Sequence, residues 1–153
     1  MGNIFNDDFR DFITALNNQQ VEYILVGGYS VILHGYSRTT GDLDIWVNKT
    51  KENYLKIAKT FLEFGMSLFD MTENNFLENP AHNVYTFGRP PVSIDIMTEV
   101  KGLIFDAAFK EAEMVEIEGL QIRLIHYDDL IKSKKYSARA KDINDIENLN
   151  NKK

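Results

Sequence analysis

The sequence predicts an α+β fold in which a mixed, twisted sheet is flanked by helices and the chain closes on two helices. Three observations predict it. Short runs rich in Val, Ile and Leu alternate at period 2, as strands do, while stretches between them repeat at the 3.6 period of helices. Glu118-Gly119 interrupts an alternating stretch and reads as a hairpin turn, so the sheet carries antiparallel pairs. Strands and helices mingle without regular βαβ winding. The 153 residues contain no repeat, low-complexity tract or linker, and 1–153 is expected to form one domain.

The elements follow in order. Phe9, Phe12, Ile13 and Leu16 recur at helical spacing, and Asn6 can cap the start, which predicts a helix over about 7–18. Val21 to Val26 is a buried strand bounded by Gly27-Gly28. Tyr29 to His34 is a short helix with Gly35 just past its end. Asp42 to Asn48 is a second strand, with Leu43, Ile45 and Val47 on one face and Asp42, Asp44 and Trp46 on the other. Thr50 caps a helix whose apolar stripe is Leu55, Ala58, Phe61 and Leu62. Two extended pieces are expected at about 66–71 and 82–87. A Gly88-Arg89-Pro90-Pro91 turn then feeds a strand from Val92 to Met97. Leu103 to Ala112 reads as a helix and Met114 to Ile125 as the hairpin. Helices over about 127–135 and 139–149 end the chain.

Composition narrows the chemistry. With no Cys, disulfides, thiolate metal sites and Cys nucleophiles are excluded. No apolar run reaches the roughly 18 residues that span a bilayer, and MGNIFNDDF lacks a signal-peptide core. No membrane partner and a cytoplasmic location are therefore expected. The formal net charge of −6 argues against a dedicated duplex-binding module. The charge is uneven: residues 1–125 carry 10 basic and 18 acidic side chains, and residues 126–153 carry 7 and 5. Lys132, Lys134, Lys135, Arg139 and Lys141 make the basic run, which on charge alone reads as a solvated helix face.

Asp42 and Asp44 stand two apart on a strand, so both carboxylates leave the same face. Asp95 lies mid-strand opposite the apolar face of Val92, Ile94 and Ile96; if its strand pairs beside the first, three carboxylates converge. At about 4 Å and an effective dielectric near 20, each like-charged pair repels by about 4 kcal/mol. Such a cluster calls for cations or shifted pKa values, and an all-oxygen donor set suits Mg²⁺. Asp-x-Asp by itself is more often a short acidic strand edge. Gly27-Gly28-Tyr29-Ser30 joins a buried strand directly to a helix, where glycines admit a ligand and a helix N-terminus favours phosphate. Alone, it is equally a tight turn. Trp46 follows the carboxylates at period 2, either to stack on a base or to pack on a helix.

Together these stretches, Val26-Gly27-Gly28-Tyr29-Ser30 to Gly35 and Arg38-Thr39-Thr40-Gly41-Asp42-Leu43-Asp44-Ile45, resemble the polymerase-β-like nucleotidyltransferase superfamily. Within it they are most like small bacterial minimal nucleotidyltransferases and the abortive-infection-type nucleotidyltransferase toxins. A C-terminal pattern of Leu130-Ile131, Lys134, Arg139, Lys141-Asp142 and Asp145 is shared with them. The resemblance covers about residues 21–149.

The resemblance implies an enzyme that moves an NMP from an NTP to an acceptor hydroxyl. Asp42, Asp44 and Asp95 would be catalytic and metal-binding, holding two Mg²⁺ ions for which Mn²⁺ can substitute. Asp95 would also act as, or orient, the base. Gly27, Gly28, Ser30, Arg38, Lys134 and Arg139 would bind the nucleotide, and Asp142 would form a supporting ion pair. The acceptor would be an RNA or tRNA end, a protein or a small molecule such as an aminoglycoside or lincosamide antibiotic. The toxin relatives imply a toxin–antitoxin setting with a partner antitoxin. The alternatives are a non-catalytic, antitoxin-like interaction module, an antibiotic nucleotidyltransferase, or a metal-dependent phosphodiesterase.

Overall fold

The structure, a computed structural model, describes residues 4–89 and 92–152. The Pro90-Pro91 pair expected in a turn lies outside them. Among the described residues the chain runs α1 (Asp7–Asn18), β1 (Tyr23–Val26), α2 (Gly27–Leu33), β2 (Leu43–Val47), α3 (Lys51–Phe64), α4 (Glu73–Glu78), β3 (Val84–Arg89), β4 (Val92–Met97), α5 (Phe105–Glu111), β5 (Glu113–Ile117), β6 (Leu120–Leu124), α6 (Tyr127–Ser137) and α7 (Ala140–Lys152). The six strands form one sheet in the order β3-β4-β2-β1-β6-β5. β2 pairs antiparallel with β1 and parallel with β4, and β6 pairs parallel with β1, so the sheet is mixed as expected. Among the described residues no helix is long and apolar enough to cross a membrane.

The register of the central strands places the chemistry. Val26 lies opposite Asp44, and Asp44 opposite Asp95. Side chains at matched positions of neighbouring strands leave the same face, so the carboxylates of β2 and β4 stand side by side at the strand ends nearest Gly27. The other face of β2 carries Leu43, Ile45 and Val47, all fully buried. Each of these side chains contributes about 1.5–3 kcal/mol by leaving water, which makes the register hard to slip.

Local signals explain most of the elements. Asn6 Oδ1 accepts from the Phe9 amide at 2.8 Å and caps α1. Thr50 Oγ1 does the same for Asn53 at the start of α3. Glu118 and Gly119 both have positive φ, +54° and +81°, and turn β5 into β6.

Three expectations are corrected. α3 does not bury Leu55, Ala58 and Leu62: Leu55 is half exposed and Leu62 is 82% exposed. Its inward stripe is Tyr54, Ile57 and Phe61. Two apolar stripes overlap at Phe61, and the aromatic one wins because Phe12 of α1 meets Phe61 and Phe64 edge-on at 5.5 and 5.4 Å. Residues 66–71 form no strand. Next to them is a helix the periodicity did not show, α4, capped by Thr72 Oγ1 accepting from the Asn75 amide. α2 starts at Gly27, two residues earlier than predicted, and β1 at Tyr23, two later.

Candidate active site

Asp44 sits at the meeting point of β1, β2 and β4. It is pushed up from the ordinary carboxylate range to about 7, by burial first, then by the charge and hydrogen-bonding contact of Asp95, then by Asp42; Lys141 opposes the shift. Asp95 Oδ1 is buried and has no hydrogen-bond partner among the described residues. A buried carboxylate oxygen left unpaired is costly, and here it faces a second carboxylate.

Asp42 does not complete a ready-made trio. It lies one residue before β2, and its Oδ1 accepts from the Ser93 hydroxyl at 2.7 Å, across from it on β4. Among the described residues no three His, Asp or Glu side chains stand together as a set of metal ligands. The expected convergence is therefore an Asp44–Asp95 pair with Asp42 tied to Ser93. The donor set still fits a hard cation: all ligands are oxygen, one is unpaired, and two carry repulsion that a cation would relieve.

The Gly27-Gly28 turn has a definite physical reason. A Cβ on Gly27 would fall 2.0 Å from Asp44 Oδ2, and Gly27 also has φ +73°. A Cβ on Gly28 would fall 2.3 Å from Thr40 Oγ1. The two glycines thus let the Asp44 carboxylate and the α2–β2 loop lie directly on the backbone of the first turn of α2. Ser30 is fully buried, and its hydroxyl donates to the Gly27 carbonyl at 2.6 Å, which spends its proton on holding that turn.

The C-terminal pattern becomes an ion network. Lys134 Nζ lies 3.2 Å from Asp142 Oδ1 and 2.9 Å from Asp145 Oδ2. Arg38 Nε lies 3.0 Å from Asp145 Oδ1, which ties the α2–β2 loop to α7. Arg139 Nε donates to Asp142 Oδ2 at 2.7 Å, and Ser137 Oγ donates to the same oxygen. Burial pushes Asp142 up, but the hydrogen bonds of Arg139, Ser137 and Lys134 outweigh it and hold its carboxyl well below the ordinary range. Asp142 and Asp145 are fully buried, Lys134 is nearly so, and Arg139 is exposed. Asp142 forms the supporting ion pair foreseen for it; Asp145 and Arg38 complete a network that spans 107 residues of chain.

A cleft of about 270 Å³ opens beside this centre, with Gly27 and Asp44 at its floor. The β4–α5 connection (Glu99, Val100, Lys101) forms one wall, and α6 with the following turn (Leu130, Ser133, Lys134, Ser137, Arg139) forms the other. Asp42, Asp95, Gly28, Ser30 and Arg38 do not line it. A larger hollow of about 590 Å³, bordered by Asp8, Asp11 and Glu63, carries none of the predicted residues. Trp46 is buried and meets Phe105 edge-on at 5.2 Å, so it packs against α5 and cannot stack on a base. Ser93, which holds Asp42, and Lys101, which lines the cleft, are not among the residues the sequence singles out. Ser93 shares the alternation of Asp95 and was open to discovery; Lys101 has no local signal at all.

A family model described as "Nucleotidyltransferase of unknown function (DUF6036)" matches residues 8–151. No curated protein matches the chain. Among the solved structures that share its fold are three nucleotidyltransferases or nucleotidyltransferase-like proteins. A candidate nucleotidyltransferase from Thermotoga maritima is 15% identical with a TM-score of 0.58, the match covering 95% of this chain and 91% of that one. The lincosamide antibiotic adenylyltransferase LnuA, bound to lincomycin, is 14% identical at 0.56, with 97% and 98% covered. An antigenic nucleotidyltransferase-like protein from Paracoccidioides brasiliensis is 14% identical at 0.58, with 97% and 78% covered. At these identities the likeness is one of fold.

Proposed function

The chain belongs to this family of nucleotidyltransferases of unknown function, and from that premise we propose that it transfers an NMP from an NTP to an acceptor hydroxyl in a Mg²⁺-dependent reaction. The observation that carries the reading is the in-register Asp44–Asp95 pair, in which Asp44 lines a cleft and Asp95 stands beside it, with one proton-affine carboxyl and one unpaired carboxylate oxygen. Asp44 and Asp95, joined by Asp42 when it leaves Ser93, would hold two Mg²⁺ ions, or Mn²⁺ in their place. Metal held by these residues would supply charge to offset the phosphate oxygens and the developing alkoxide of the attacking hydroxyl.

The chain's own residues do the rest. Asp95, whose Oδ1 has no hydrogen-bond partner among the described residues, would accept or orient the acceptor's proton. Gly27 allows Asp44 to sit on the backbone at the cleft floor, and Ser30 fixes that turn from beneath. Gly28 leaves room for Thr40, and Arg38 anchors the loop leading to Asp42 through Asp145. Lys134 and Arg139 border the cleft, but their strongest partners are Asp142 and Asp145, so they set the electrostatics of the wall before they touch phosphate.

The acceptor we favour is an RNA end. Lys132, Lys135, Arg139 and Lys141 are exposed on α6, α7 and the turn between them, with Arg139 on the cleft wall, and offer a track for phosphates that a cationic antibiotic would avoid. The test is to incubate the protein and Mg²⁺ with each α-labelled NTP and fractions of cell RNA, protein and small molecules. Label in RNA with release of pyrophosphate supports the reading. Label in protein or small molecules replaces the acceptor, and no pyrophosphate with any fraction overturns the activity.

A further inference from the structure

Three cations border the cleft beside Asp44: Lys101, Lys134 and Arg139. Two are already spent. Lys134 lies between Asp142 and Asp145, and Arg139 is held by Asp142. Lys101 is exposed, and among the described residues it has neither an ion pair nor a side-chain hydrogen bond. A triphosphate entering a cleft floored by carboxylates needs a positive charge not yet neutralised from within.

The backbone beneath Lys101 is fixed. The Thr98 amide donates to the Asn83 carbonyl at 2.9 Å, and Asn83 Nδ2 donates to Glu99 Oε2, pinning the start of the β4–α5 connection. The Leu103 amide donates to the Val100 carbonyl and closes the turn. Gly102 has φ +86°, and a Cβ there would lie 3.0 Å from the Tyr136 ring on α6. Only glycine suits both the conformation and the contact, so the turn packs against α6 with Lys101 rooted on the cleft wall.

We infer that Lys101 is a phosphate-binding residue, its ammonium taking the triphosphate oxyanions of the nucleotide in the cleft beside Asp44. This rests on the nucleotidyltransferase reading above. A lysine suits the task as a compact point charge on a long stem, able to follow the leaving pyrophosphate.

The test uses Lys101→Met, which keeps the stem and removes the charge, Lys101→Arg, which restores charge, and Lys59→Met on α3 as a control. Calorimetry in Mg²⁺ measures a non-hydrolysable NTP analogue, pyrophosphate and the parent nucleoside. A charge-assisted contact predicts that Lys101→Met weakens the analogue and pyrophosphate about tenfold or more, leaves the nucleoside unchanged, and that Lys101→Arg recovers most of the loss. Equal binding by wild type and Lys101→Met overturns the inference. So does a loss that strikes the nucleoside in the same proportion, since that is damage to shape and not loss of charge. If the wild type binds neither analogue nor pyrophosphate, the nucleotidyltransferase reading itself falls.

Discussion

Asp44→Asn should make the metal-free protein more stable and inactive, and the gain should depend on pH in a calculable direction. The folded-state pKa of about 7 lies above the ordinary 3.8, so between roughly pH 4 and 7 the folded chain binds a proton that the unfolded chain releases. Wild-type stability therefore falls as pH rises through that window and levels off above it. At about 1.4 kcal/mol per pKa unit, the full cost above pH 7 is about 4–5 kcal/mol. Asp44 keeps part of its surface in water, and screening brings the expected cost to about 2–4 kcal/mol. Asparagine has the same shape and no charge, so it escapes the cost. Asp142 has the opposite linkage: its depressed pKa contributes stability that is lost as pH falls. That contribution is common to both proteins and cancels in their difference. Urea unfolding in chelator at about pH 4.5 and pH 8 should show an Asn advantage that grows by about 2–3 kcal/mol between the two, because the wild type is then ionised against Asp95 and Asp42. Added Mg²⁺ should raise the wild-type midpoint and not that of the variant. An advantage independent of pH, or a loss at pH 8, refutes the argument.

Two further predictions concern the frame around the site. Asp145→Ala removes the buried carboxylate partner of Arg38 and leaves Lys134 with Asp142 alone, so urea unfolding should show a loss of about 3–5 kcal/mol, against less than about 1 kcal/mol for Arg139→Ala on the exposed side of the network. Gly27→Ala places a methyl group against Asp44 Oδ2 and forces a side chain into positive φ; it should cost about 1–3 kcal/mol and abolish transfer, whereas Gly65→Ala, with positive φ but open space around it, should cost stability and leave transfer intact.

Much of the fold was legible because its signals are local. Asn6, Thr50 and the Glu118-Gly119 turn declare their elements within four residues, and the alternation of Val92 to Met97 already separates Asp95 from the core face. The misreadings occur where local patterns tie. α3 offers two apolar stripes about 100° apart, and only Phe12 of α1, far away in sequence, decides between them. α4 is six residues long, too short to show a helical period, and its evidence is reduced to the Thr72 cap. At the candidate site, residue types and spacing singled out Asp42, Asp44 and Asp95 but not their arrangement, because the Ser93 hydroxyl that ties Asp42 to β4 depends on the pairing of β2 with β4.

The same distinction explains the cations. Five of them within ten residues read as one basic surface, yet the fold divides them by what they face. Lys134 and Arg139 belong to a network with two buried carboxylates and are largely neutralised within it. Lys141 has no ion pair among the described residues, and its charge reaches Asp44 and draws its pKa down. Lys101, outside the run and on another wall, is equally unspent. A carboxylate-floored cleft works on triphosphates only if uncommitted positive charge surrounds it. The residues that meet that demand are those the buried acids of α7 leave alone, and no count of charges along the chain could have picked them out.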